Sequence, residues 1–130
     1  MTCKRIPEGA EQHITAGPYS PVLEVDADKL VLISGQASID LEGIVVGNTI
    51  EEQAEYTLGN CKLQLAKAGC TFDDVFKVNV YLSDLDNWPR FNIVYKKHFS
   101  EPLPVRTAVQ AGLLYTFLVE VEMWAAKKDE

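Results

Sequence analysis

The 130-residue chain has no apolar run approaching the roughly 20 residues of a membrane span, and its opening MTCKRIPEGAEQH lacks the continuous apolar stretch of a secretory leader. Neither membrane insertion nor export is expected, and the sequence points to a cytoplasmic protein. Cysteine is scarce. Cys3, Cys61 and Cys70 are an odd number with no C-x-x-C pair, which argues for reduced thiols over a disulfide framework or a zinc knuckle. Cys61 and Cys70 read as small core residues. The two histidines, His13 and His98, are far apart in the chain, so no metal site is expected. The Walker loop, G-x-G-x-x-G, the G-x-S-x-G elbow and H-E-x-x-H are all missing, and no cofactor motif stands in their place. Positive charge is also in deficit. Twelve Lys and Arg against 19 Asp and Glu leave a net charge of −7, which repels a polyanion over most of the surface. Bulk nucleic-acid binding is not expected, and Lys96-Lys97 reads as a solvated helix pair.

What is present is enough for one folded domain over 1–130, without internal repeats or low-complexity tracts. The first forty residues alternate turn signals with short apolar runs. VLEV and LVLISG, separated by Asp26–Asp28, read as a hairpin, with 30–34 the best central strand, and a second turn surrounds Leu41-Glu42-Gly43. Thr49 followed by Glu52 is a capping box. Ile50, Ala54, Leu58, Cys61, Leu65 and Ala68 then keep helical spacing up to Gly69.

From 75 to 82, VFKVNVYL changes to period two, setting Val75, Lys77, Asn79 and Tyr81 against Phe76, Val78, Val80 and Leu82. Asp86 is placed to cap a second helix that tolerates Pro89 in its first turn. Trp88, Phe91, Tyr95 and His98 form its apolar stripe, and Pro102 and Pro104 end it. Strands near 106–110 and 118–125 follow. The order implies an α+β domain, a sheet with two helices on one face and a partly apolar second face that favours self-association.

Two charged features stand inside apolar strands. Arg106 follows Pro102 and Pro104 and opens a strand, so its planar fork projects from a rigid edge. It can clamp a carboxylate, or it can pair across strands with Glu120 or Glu122. In LVEVEMWA, Leu118, Glu120, Glu122 and Trp124 share one face, and Val119, Val121, Met123 and Ala125 the other. The two carboxylates are thus about 7 Å apart along the strand, facing either solvent or a second subunit. His98 reads as a hydrogen-bonded residue at the core edge, and His13 as a residue of a polar loop.

Taken together, AGPYSP (16–21), LVLISGQ (30–36), EEQAEYTLGNCKLQLAKAG (51–69), DDVFKVNVYLSDLDNWPRFNIVYKKHF (73–99), PVRTAV (104–109) and LVEVEMWA (118–125) resemble, in order and spacing, the RidA (YjgF/YER057c/UK114) family of enamine/imine deaminases. The resemblance implies a chorismate-mutase-like fold and a homotrimer with ligand pockets between subunits. By motif it implies that Arg106 grips a substrate carboxylate, Tyr19 lies over the ligand and Glu120 holds the water. Ser34, Gly35, Asn92, Thr107 and Ala108 would line the pocket. Ala108 stands where many relatives carry a cysteine, and Leu113-Leu114 where many have Leu-Pro in a loop one residue longer. Glu122 is thereby the alternative to Glu120.

The implied reaction is hydrolysis of 2-aminoacrylate or a related enamine, through its imine, to a 2-keto acid and ammonia. Because such imines hydrolyse unaided, orientation and proton management suffice. A non-catalytic 2-keto acid sensor using the same arginine, and a ribonuclease, are the rival readings.

Overall fold

The computed structural model describes residues 3–129. Its order is β1 (Lys4–Arg5), β2 (Glu24–Val25), β3 (Lys29–Ala37), α1 (Ile50–Lys67), β4 (Val75–Leu82), α2 (Trp88–Lys96), β5 (Val105–Gln110) and β6 (Val119–Lys127), with a 3-10 turn before β4 and another before α2. The main sheet runs β3-β6-β4-β5. β4 and β5 are parallel and the other pairs antiparallel, so the α+β expectation of a mixed sheet carrying two helices holds.

Helix α1 begins as its sequence dictates. Thr49 Oγ1 accepts from Glu52 N at 3.2 Å, while Glu52 Oε1 accepts from Thr49 N at 3.1 Å, two orphan donors satisfied reciprocally. Its stripe Ile50, Ala54, Leu58, Cys61 and Leu65 is buried against the sheet. From below, Val78, Val80 and Leu82 of β4 meet Val119, Val121, Met123 and Ala125 of β6. The period-two pattern of 118–125 therefore holds, as does the assignment of Cys61 and Cys70 to the core.

Four expectations are corrected. Residues 24–25 pair with Lys4–Arg5 rather than turning back on the following strand, so the first hairpin is absent. The strand over 30–34 is extended to Lys29–Ala37 and lies at an edge, because its hydrogen bonds go to the last strand alone. Val75 turns inward beside Val78, since a register shift between Val75 and Lys77 breaks the alternation. Asp84, not Asp86, supplies the cap before the second helix. Its carboxylate accepts from Asp86 N at 2.9 Å and opens the 3-10 turn that Trp88 continues as α2. That helix ends at Lys96, before the prolines.

The sheet face turned away from the helices stays uncovered in one copy, with Leu30, Leu32 and Trp124 exposed on it.

Candidate functional site

The two charged features fall on opposite sides of the sheet. Arg106 is in register with Val78, which is wholly buried under the helices, so its side chain rises on the helix side. Glu120 is in register with Tyr81, whose neighbours Val80 and Leu82 take the helix side, so Glu120 lies on the uncovered face. Strand β4 separates β5 from β6. The cross-strand ion pair of Arg106 with Glu120 or Glu122 is therefore excluded by topology.

Arg106 is 9% exposed and enters an aromatic cage. Its Cζ lies 4.5 Å from the ring centre of Tyr95, 4.6 Å from that of Trp88 and 5.4 Å from that of Tyr19. Ring quadrupoles attract the cation without accepting its in-plane protons. Asn92 Oδ1 accepts from Nη2 at 2.8 Å, while Nε and Nη1, both buried, have no hydrogen-bond partner. Whichever Nη2 proton Asn92 takes, one complete two-proton edge remains, either Nη1/Nη2 or Nε/Nη2, which is the fork that fits a carboxylate. Burial pushes the guanidinium pKa down from its ordinary value, and the phenols of Tyr95 and Tyr19 pull the other way.

The cage closes because Gly17 has no side chain. A Cβ there would sit 3.1 Å from Tyr19 Cε2, 3.4 Å from Arg106 Nη2 and 3.5 Å from Asn92 Nδ2. Ser20 anchors this loop, its hydroxyl bonding Leu103 O and its N–H donating to Pro104 O at 3.1 Å. A cleft of ≈ 590 Å³ adjoins the cage, bordered by Gly17, Pro18, Asn92, Ile93 and Lys96. Ala108, two residues beyond Arg106 on the same strand side, is half-buried; Thr107 points to the uncovered face.

Ser34, Gly35 and Glu120 form a second group at the other edge of the sheet. One extra residue in β3 between Ile33 and Gln36 makes a bulge there, a device that re-aims side chains and bends an edge. Both Ser34 and Gly35 are exposed. Glu120 leans on Gly35, and its carboxylate takes no hydrogen bond among the described residues. Glu122 is engaged, accepting from Tyr81 Oη at 2.6 Å and Asn79 Nδ2 at 2.9 Å. These bonds, Tyr81's first, hold its carboxyl below the usual pKa.

The sequence-predicted residues thus form two clusters: Tyr19, Asn92, Arg106 and Ala108 at the β5 edge, and Ser34, Gly35 and Glu120 at the β3 edge. Three inter-strand steps separate those edges, about 14 Å. Sequence reasoning missed Trp88 and Tyr95 as walls of the arginine site, having placed both in the core stripe. Their i, i+4, i+7 spacing with Asn92 was the available signal.

His98 does sit at the core edge, 3.1 Å from Glu55 Oε1. Burial pushes the Cys61 thiol up to about 12 and raises that of Cys70. Among the described residues no His, Cys, Asp and Glu gather as a metal-binding set, and no helix is long and apolar enough to cross a membrane.

Two helices on a mixed four-strand sheet define a small α+β domain, which carries a buried arginine with an open fork. The family model described as Endoribonuclease L-PSP matches residues 10–127. The chain belongs to that family, the YjgF/RidA family. A RutC family protein of Pyrococcus abyssi is 39% identical over 114 residues, 86% of this chain and 88% of that protein. The mouse 2-iminobutanoate/2-iminopropanoate deaminase is 37% identical over 99 residues, 75% of this chain and 72% of its own. The crystal structure of yeast Mmf1 matches at TM-score 0.72 and 34% identity, covering 87% of this chain and 90% of that one.

Proposed function

We propose that the chain is an enamine/imine deaminase that hydrolyses 2-aminoacrylate, 2-iminopropanoate, 2-iminobutanoate and similar intermediates to 2-keto acids and ammonia. It acts as a homotrimer with its pockets between copies. The observation that carries this reading is Arg106, buried and caged, with Nε and Nη1 unpartnered. A substrate carboxylate supplies the missing acceptors and neutralises the charge. The likeness to the mouse deaminase supports the chemistry.

One copy holds only half of the site at each edge. A heterologous contact between the β5 edge of one copy and the β3 edge of the next brings Arg106, Tyr19, Asn92 and Ala108 to face Ser34, Gly35 and Glu120, and three such contacts close a ring. Closure also buries the uncovered sheet face with Leu30, Leu32 and Trp124; Thr107 lies on that face beside the junction.

In the pocket the enamine takes a proton at carbon as one N–H proton is released, and becomes the imine. Glu120 accepts a proton from water as the oxygen bonds to the imine carbon, and returns it to the nitrogen. The resulting carbinolamine loses ammonia as its C–N bond breaks and the ketone forms. Positioning and a general base account for a modest acceleration, the base being worth about 10² to 10⁴ in comparable sites. Three free thiols fit a reducing compartment, proposed to be the cytoplasm.

The test is a coupled assay in which a pyridoxal-phosphate-dependent dehydratase generates the enamine. Arg106→Lys keeps the charge without the fork and should raise KM about tenfold or more; Arg106→Ala should return the rate to that of uncatalysed hydrolysis. Parent-like rates in Arg106→Ala would refute the clamp. A protein that binds 2-oxobutanoate through Arg106 without speeding ammonia release would be a sensor. The family description favours one further reading, RNA cleavage, which the charge of −7 opposes. RNA cleavage lost in Arg106→Ala would establish it.

A further inference from the structure

We propose that Trp88 is a positioning residue for the arginine clamp: its indole, with the ring of Tyr95, keeps Arg106 charged yet dry, so that the guanidinium edge is left for a ligand carboxylate. This inference rests on the reading of Arg106 as a carboxylate clamp.

A buried guanidinium is ordinarily satisfied by a carboxylate or by carbonyl oxygens, because leaving its donors unmade costs stability. Arg106 has neither apart from Asn92 Oδ1, and no ion pair involves it among the described residues. Its other close neighbours are the faces of Tyr95, Trp88 and Tyr19. An aromatic face offsets the desolvation of a cation without occupying its N–H groups, so the cage tolerates the charge and preserves the fork.

The two nearest rings are not equivalent. Tyr95 is wholly buried, whereas Trp88 opens α2 at the surface and is half-buried. Trp88 is therefore the outer wall, the ring whose loss admits water to Nε and Nη1. Water on those donors would stabilise the ligand-free arginine, and a carboxylate would then have to displace it. Trp88 packs on the guanidinium that grips the carboxylate and is assigned no proton transfer, so its influence should fall on binding and spare the hydrolytic step.

The experiment uses the full chain and two substitutions, Trp88→Leu and Trp88→Phe. Calorimetric titration with 2-oxobutanoate and the coupled enamine assay are read together, and thermal unfolding checks that each variant folds. Trp88→Leu removes the π face and should weaken 2-oxobutanoate binding and raise KM about tenfold, with kcat changed less than about threefold. Trp88→Phe restores a ring and should bind within about threefold of the parent.

Equal affinity in the parent and Trp88→Leu overturns the inference while leaving the clamp intact. So does a loss in Trp88→Phe as large as in Trp88→Leu, or a fall in kcat that outweighs the rise in KM. If the parent itself does not bind 2-oxobutanoate, the clamp and the cage fall together.

Discussion

Glu120 rests against the bare backbone of Gly35: a Cβ added to Gly35 would lie 3.1 Å from Glu120 Cδ and 3.2 Å from its Cγ and would overlap Oε2. The obstacle is the end of a flexible side chain, so Gly35→Ala should fold at little cost, within about 1 kcal/mol of the parent, but with Glu120 displaced. Deaminase activity in the coupled assay is expected to fall about tenfold or more while the denaturant midpoint stays near that of the parent. Full activity in Gly35→Ala would mean that the position of this carboxylate does not matter.

Glu122 shares that sheet face but is held by Tyr81 and Asn79, so the two glutamates should separate on substitution. Glu120→Gln is expected to lose most of the activity, and Glu122→Gln to keep it within about threefold. The acid limb of stability should respond the other way. The folded pKa of Glu122 lies below its unfolded value, so its contribution is present above the ordinary carboxylate pKa, about 4.3, and is lost as pH falls through the folded value. Glu122→Gln should accordingly lose less stability than the parent between pH 5 and about 3, as read by urea unfolding across that range.

Lys4 titrates in the opposite region. Its Nζ donates to Val75 O at 2.5 Å, and burial holds its pKa down at about 8 against the pull of Asp73 and Asp74. Between that value and roughly 10.4 the unfolded chain binds the proton more tightly, so Lys4 adds to stability as pH rises through this window. Relative to Lys4→Met, the parent should gain stability from pH 8 to 10; a constant difference over that range would contradict the assignment.

Where one chemical rule governs a segment locally, the sequence is a sufficient guide. The box of Thr49 and Glu52 starts α1, and the alternating valines of 118–125 are buried on one side. Edge placement is not local. LVLISG looks central because it is β-branched and apolar, yet only pairing partners decide that it is an edge. Likewise VLEV reads as half a hairpin, while its two bonded residues pair with Lys4 and Arg5, which carry no strand signal.

The candidate site was legible residue by residue but not as geometry. Arg106 and Glu120 can be picked out, but which faces they take depends on their registers with Val78 and Tyr81. Trp88 and Tyr95 read as core because an aromatic ring at helical spacing looks the same whether it meets a leucine or a guanidinium.

The central claim, that each pocket joins Arg106 of one copy to Glu120 of the next, is most directly tested by mixing two inactive variants. Arg106→Ala and Glu120→Gln are unfolded together in equal amounts, refolded and assayed. Random assembly places an intact Arg106 opposite an intact Glu120 at about one junction in four, so about a quarter of the parent activity should return. If both catalytic groups instead belong to pockets within one copy, no mixture restores an intact site, and activity that stays at the level of the separate variants would contradict the account.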